Sequence, residues 1–77
     1  MSETEAPISG QCAIFKRADG RYDVLKFGEG GARTSVREKL KQLADAYHVA
    51  RKTSEAGRVL YCDHATPDVF EKYTFSK

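Results

Sequence analysis

The stretch QCAIFKRADGRYDVLKF, residues 11–27, constrains this chain more than any other segment. Two strand-forming runs flank a turn signal, which predicts a β-hairpin. Asp19-Gly20 is a favoured pair for a two-residue type I′ turn, in which both central residues take positive φ. That turn sets Ile14 opposite Leu25, Cys12 opposite Phe27 and Lys16 opposite Asp23. This face is apolar with an ion pair at the turn end, and reads as core. The reverse face pairs Phe15 with Val24, Arg17 with Tyr22 and Ala13 with Lys26. It is too aromatic for a plain solvent face.

Downstream, Val36, Leu40, Leu43, Ala44, Tyr47 and Ala50 fall on one stripe at helical spacing, which predicts a helix over 35–51. Ser35-Val36-Arg37-Glu38 matches a capping box at its start. Arg51 and Lys52 suit the negative end of its dipole. Residues 58–64, RVLYCDH, read as a third strand, with Leu60 and Cys62 on one face and Val59, Tyr61 and Asp63 on the other. Thr66 followed by Pro67 and Asp68 reads as a helix start, so a short C-terminal helix is expected over 67–73. The aromatic content of VFEKYTF makes a fourth strand the competing reading.

A chain of 77 residues has room for one domain. The expectation is a flexible N-terminal tail over residues 1–10 and a single α+β domain over 11–77. Its antiparallel sheet has three strands, or four if the C-terminal segment pairs, with one amphipathic helix packed on one face. A crossover places the strands in order 2-1-3, all antiparallel. The predicted core is Cys12, Ile14, Leu25, Phe27, Val36, Leu40, Leu43, Tyr47, Leu60 and Cys62, with Phe70 as an addition.

Nothing in the chain approaches the run of about 20 apolar residues that spans a bilayer, so no membrane partner is expected. MSETEAPISG lacks a basic start and an apolar run, hence reads as no signal peptide, and the expected compartment is the cytoplasm. Net charge is +2. Glu3 and Glu5 are the only charged side chains in the first nine residues, so the remainder carries a modest positive excess. That is compatible with an acidic partner and far from a strongly basic nucleic-acid domain. Two cysteines, Cys12 and Cys62, are too few for a disulfide scaffold and read as buried thiols.

The glycine loop Gly28-Glu29-Gly30-Gly31-Ala32-Arg33 runs from a strand toward the predicted helix, the order of phosphate-binding loops. Arg33 stands where the third glycine of G-x-G-x-x-G belongs, and the Walker pattern is absent. Free amides at the helix start, with Arg33 and Arg37, could hold an anion. Ser35 and Glu38 would occupy part of that site, so a simple connector is the favoured reading. Cys62, Asp63 and His64 form no relay, because on a strand Asp63 points away from its neighbours. No zinc-ligand spacing is present, a ribonuclease-like use of His48 and His64 has no motif behind it, and no cofactor is expected.

The second sheet face is the most informative feature. Phe15, Tyr22, Val24, Val59 and Tyr61 would share it, with Arg17, Lys26 and Arg21 at its margins. It must be covered by the C-terminal aromatics Phe70, Tyr73 and Phe75, by a second copy of the chain, or by a partner. The leading expectation is a small non-enzymatic protein that docks on another protein as a regulator, inhibitor or accessory subunit. Its contact residues would be Phe15, Arg17, Tyr22, Val24, Lys26 and Tyr61. The alternative is a nucleic-acid-binding protein, with Arg17, Arg21, Lys26, Arg33, Arg37 and Lys41 on phosphates and Tyr22 or Phe15 stacking on bases.

Overall fold

The computed structural model describes residues 8–55, 59–67 and 69–73. In chain order the elements are β1 (Cys12–Lys16), β2 (Tyr22–Phe27), β3 (Arg33–Leu40), α1 (Leu43–Thr53), β4 (Leu60–Asp63) and β5 (Glu71–Lys72). The five strands form one mixed sheet in the order β3-β2-β1-β4-β5. The α+β class and the placement of the apolar first strand between the second and the 60–63 strand agree with the sequence reading. The strand count, one strand direction and the hairpin register do not.

The hairpin closes differently from the predicted type I′ turn. Gly20 N–H donates to the Arg17 carbonyl at 3.1 Å and Arg17 N–H to the Arg21 carbonyl at 2.7 Å. Gly20 sits at φ +84°, while Asp19 is not at positive φ. This is a three-residue loop in which a turn is followed by a left-handed glycine. The Asp19 carboxylate caps it by accepting Arg21 N–H at 3.0 Å. The extra loop residue slides β2 by one place, giving Ala13 opposite Leu25, Ile14 opposite Val24 and Lys16 opposite Tyr22. A one-residue slide exchanges the faces of a whole strand. Val24 therefore joins Ile14 and Cys12, and Phe27 moves to the other side.

Residues 33–40 are a strand, which corrects the predicted helix start at Ser35. Arg33 pairs with Phe27, Ser35 with Leu25, Arg37 with Val24 and Leu40 with Tyr22. Two register shifts make β3 longer than the stretch of β2 it opposes. Ser35 and Glu38 do interact, through a hydroxyl–carboxylate bond of 2.9 Å across this irregular strand, and not as a helix cap. The helix starts instead after Gln42, which makes no side-chain cap bond. Its buried residues are Ala46 and Ala50, whose small side chains let the helix lie close against Cys12, Ile14 and Val24. Ala44, assigned to the stripe from sequence, is exposed.

The additional strand reverses the chain once more before the crossover. β4 consequently runs parallel to β1, with Ile14 beside Tyr61 and Phe15 beside Cys62, against the all-antiparallel expectation. Parallel pairing requires a crossover connection, which α1 supplies. The predicted 67–73 helix is also corrected. Turns closed by Thr66 N–H to Asp63 O and Val69 N–H to Thr66 O lead into the two-residue strand β5, antiparallel to β4.

The core lies in two layers. On the helix side, Cys12, Ile14, Val24, Ala46, Ala50 and Val59 are buried together. On the reverse side, Ala13, Phe27, Leu60, Cys62 and Phe70 are buried together. Leu60 and Cys62 thus lie across the sheet from Cys12 and Ile14, not beside them as expected. Leu25, Val36, Leu40, Leu43 and Tyr47 are only half-buried. Residues 1–7 of the expected tail lie outside the described residues. Gly10 is tied in by its N–H to Phe27 O and its carbonyl from Glu55 N–H, each at 2.7 Å.

Candidate functional site

The chain has four tyrosines, and the fold gathers all of them on the helix side of the sheet. Tyr22 comes from the start of β2 and Tyr61 from β4, on either flank of β1. Tyr73 follows β5, fixed by its N–H to Val59 O at 2.9 Å. Its ring stacks on Tyr61 at 5.6 Å and meets Tyr47 of α1 edge-on at 5.5 Å. Such offset and edge contacts are the favourable geometries for aromatic pairs. The helix packs over β1, β2 and β3, so the tyrosines fill the angle between the helix and the β4–β5 half of the sheet. All four are half-buried. Burial raises the Tyr61 phenol above its ordinary value, with Tyr22 adding to the effect. Tyr73 is raised for the same first cause. A phenol hydroxyl is both donor and acceptor, so these rings carry polar tips at the rim of an apolar surface.

The residues expected to share one contact face do not. Tyr22 and Tyr61 do share a face, but it is the helix side of the sheet and not the side away from the helix, where the sequence reading set them. Val24 lies beneath them, fully buried, because the register slide turned it inward. Phe15 is on the opposite face, packed against the Phe70 layer. Arg17 reaches back to Asp23 at 3.2 Å and Asp19 at 3.4 Å, and the Asp23 hydrogen bond holds its guanidinium more firmly protonated. Lys26, near the other end of β2, is paired with Glu55. Tyr47 and Tyr73 complete the cluster, where residue spacing places Tyr47 in the core and Tyr73 in a covering segment. Their convergence depends on the hairpin register and on β5, neither of which residue spacing supplied.

The glycine loop is a hairpin connection between β2 and β3. Gly28 N–H donates to Ala32 O at 2.8 Å and Ala32 N–H to Glu29 O at 3.3 Å, around Gly30 at φ +69°. The loop holds a single 3-10 turn, Glu29–Gly31, and leads into β3 and not into an α-helix, so the expected helix-end anion site does not form. The Arg33 guanidinium lies 5.7 Å from the Phe27 ring and 6.0 Å from the Phe70 ring, and those rings meet edge-on at 5.4 Å. They line a cavity of about 310 Å³ with Ser9, Gly28, Glu29 and Gly30. Arg33 is thus a cation resting on aromatic faces, and Glu29 on the same wall opposes an anion.

Arg21, Arg37 and Lys41 are exposed on the β1–β2 turn, on β3 and just after it. Among the reactive types, Cys12 and Cys62 are free and buried on opposite sides of the sheet, so they cannot share a site. Burial raises the Cys12 thiol. The Cys62 thiol donates to the carbonyls of Thr66 and Pro67 at 3.5 and 3.4 Å, which fastens the turn after β4. His64 Nδ1 is 3.1 Å from Asp63 Oδ1. Among the described residues no three His, Cys, Asp or Glu side chains converge as metal ligands, and no helix is long and apolar enough to cross a membrane.

Comparison with protein families, with curated proteins and with solved structures returns no match.

Proposed function

We propose that this chain is a small binding domain that docks on another protein through its tyrosine face, acting as a regulator or accessory subunit without catalysing a reaction. The observation that carries this reading is the convergence of Tyr22, Tyr47, Tyr61 and Tyr73 in half-buried positions between the helix and β4–β5. Tyrosine offers a large contact area with few rotatable bonds and a polar tip, and it is enriched where protein interfaces concentrate their energy. Rings already braced against each other lose little further freedom on binding. The nucleic-acid reading fits less well. Base stacking on the tyrosine face would call for free cations beside these rings, and the two expected there, Arg17 and Lys26, are engaged with carboxylates.

Affinity capture with the full chain, followed by reconstitution of each captured protein from purified components, tests the proposal. Tyr22→Ser with Tyr61→Ser is expected to weaken a reconstituted complex at least tenfold while circular dichroism stays native. A folded double variant that retains every partner removes the reading. So does capture that depends entirely on nuclease-sensitive material.

A further inference from the structure

A second surface lies on the other flank of the helix. A groove of about 540 Å³ runs between β3 and α1, lined by Val36, Arg37, His48, Val49, Lys52 and Thr53. Val36 and Val49 are half-buried and make an apolar floor. Arg37 stands on the strand wall, while His48 and Lys52 stand on the helix wall, all three exposed. An adjoining hollow brings Arg51 beside His48 and Lys52. None of Arg37, Arg51 and Lys52 is in an ion pair among the described residues.

Charge is segregated toward this seam. Residues 34–53 hold five bases (Arg37, Lys39, Lys41, Arg51 and Lys52) against two acids, Glu38 and Asp45, a net of +3. The rest of the chain, including Arg33 on the Phe27–Phe70 side, holds eight bases against nine acids, a net of −1. Of the two acids, Glu38 is bonded to the Ser35 hydroxyl, and Asp45 lies in the first turn of α1. A single-sign field over a concave surface selects the opposite sign.

We infer that the β3–α1 groove binds an acidic peptide segment, one that sets an aliphatic side chain on the Val36–Val49 floor and carboxylates against Arg37 and Lys52. The volume falls in the range of small binding sites. Carboxylate recognition by a guanidinium and an ammonium needs no further group. A peptide fits better than a nucleic acid because the groove holds no tyrosine or phenylalanine on which a base could stack. This inference is independent of the tyrosine face.

Fluorescence anisotropy with the full chain decides it. The labelled probes are a twelve-residue Glu–Leu alternating peptide, a Glu–Ser peptide of equal charge, a single-stranded oligonucleotide and a DNA duplex. The Glu–Leu peptide is expected to bind at least tenfold tighter than Glu–Ser. Arg37→Glu with Lys52→Glu is expected to cost at least another tenfold. Amide shifts on binding should centre on Val36, Val49 and Lys52. If the reversed-charge variant does not fold, the Arg37→Gln, Lys52→Gln pair replaces it with the same loss expected. The Tyr22→Ser, Tyr61→Ser protein should bind the peptide as the native chain does. Equal affinity for Glu–Leu and Glu–Ser, no binding at all, or loss in the tyrosine variant overturns the inference. So does tighter binding of either nucleic acid that the Arg37–Lys52 variant abolishes, which would make the groove a phosphate surface.

Discussion

The Asp23 carboxylate accepts the backbone N–H of Lys39 at 2.9 Å, and Lys39 is the one non-glycine residue at positive φ among the described residues, at +58°. The same carboxylate holds Arg17. One side chain in β2 therefore fastens both the turn that precedes it and the bulged end of β3. Left-handed backbone costs an L-residue about 1–2 kcal/mol, and the Asp23 bond is what offsets that cost here.

Asp23→Ala should destabilise the domain by about 1–2 kcal/mol, the usual loss for a hydrogen bond to a charged group in a partly exposed place. Lys39→Gly alone should change stability by less than about 0.5 kcal/mol, since relief of strain and the greater freedom of unfolded glycine nearly cancel. In the Lys39→Gly background Asp23→Ala should cost measurably less. Urea unfolding of the four proteins checks this, and strict additivity would show that the two residues are not coupled.

The same region shows why the sequence misled. Val36 and Leu40 are the only half-buried residues of β3. Their separation of four fits a helical turn and a strand equally well. The two register shifts erase the alternation that would have distinguished them, and Ser35 with Glu38 imitates a cap. β1, β4 and a helix beyond Leu43 were legible as elements from their apolar runs, but not all of their buried faces: Ala46, not Ala44, lines the helix interface, and Leu60 and Cys62 face the reverse layer. The candidate site was legible only as Tyr22 and Tyr61 on a shared face, and the one-residue difference in hairpin loop length that puts Tyr22 on the helix side was not. Tyr47 reaches it on α1, and Tyr73 through the β4–β5 pairing that the sequence reading replaced with a helix.

Gly20→Ala should cost about 1 kcal/mol through backbone strain alone. A Cβ at that position would meet nothing within 4 Å, and φ is +84°. Gly20→Asn should cost less than alanine, since asparagine tolerates the left-handed region better. Thermal melts compare them. A neutral Gly20→Ala would mean that the loop can adopt another turn without moving the register.

Phe70 closes the reverse layer, 7% exposed and edge-on to Phe27. Phe70→Ala should cost about 3–5 kcal/mol, which in a domain this small leaves much of the population unfolded at room temperature. Arg33→Ala should cost no more than about 1 kcal/mol, the scale of an exposed cation resting on a ring. Denaturant midpoints for the two variants test this ranking. Near-equal costs would mean that the arginine stem, not the ring pair, seals that side.

The tyrosine face predicts a particular weakness in alkali. Burial raises the Tyr61 and Tyr73 phenols above the ordinary value of 10.0. Above that pH the unfolded chain gives up these protons more readily than the folded one. The folded state then binds more protons, so stability falls as pH rises. The contribution is fully present below about pH 10 and is lost as pH climbs through the raised folded values. The comparison that isolates the effect is with Tyr61→Phe, which keeps the ring on Tyr73 but cannot ionise. Urea midpoints at about pH 8 and about pH 11 should fall further for the native chain than for Tyr61→Phe. Tyrosinate absorbance should show part of the phenol titration delayed until unfolding. Equal falls in the two proteins would mean that Tyr61 is as wet in the folded state as in the unfolded one, and the face would lose its claim to be a half-dry docking surface.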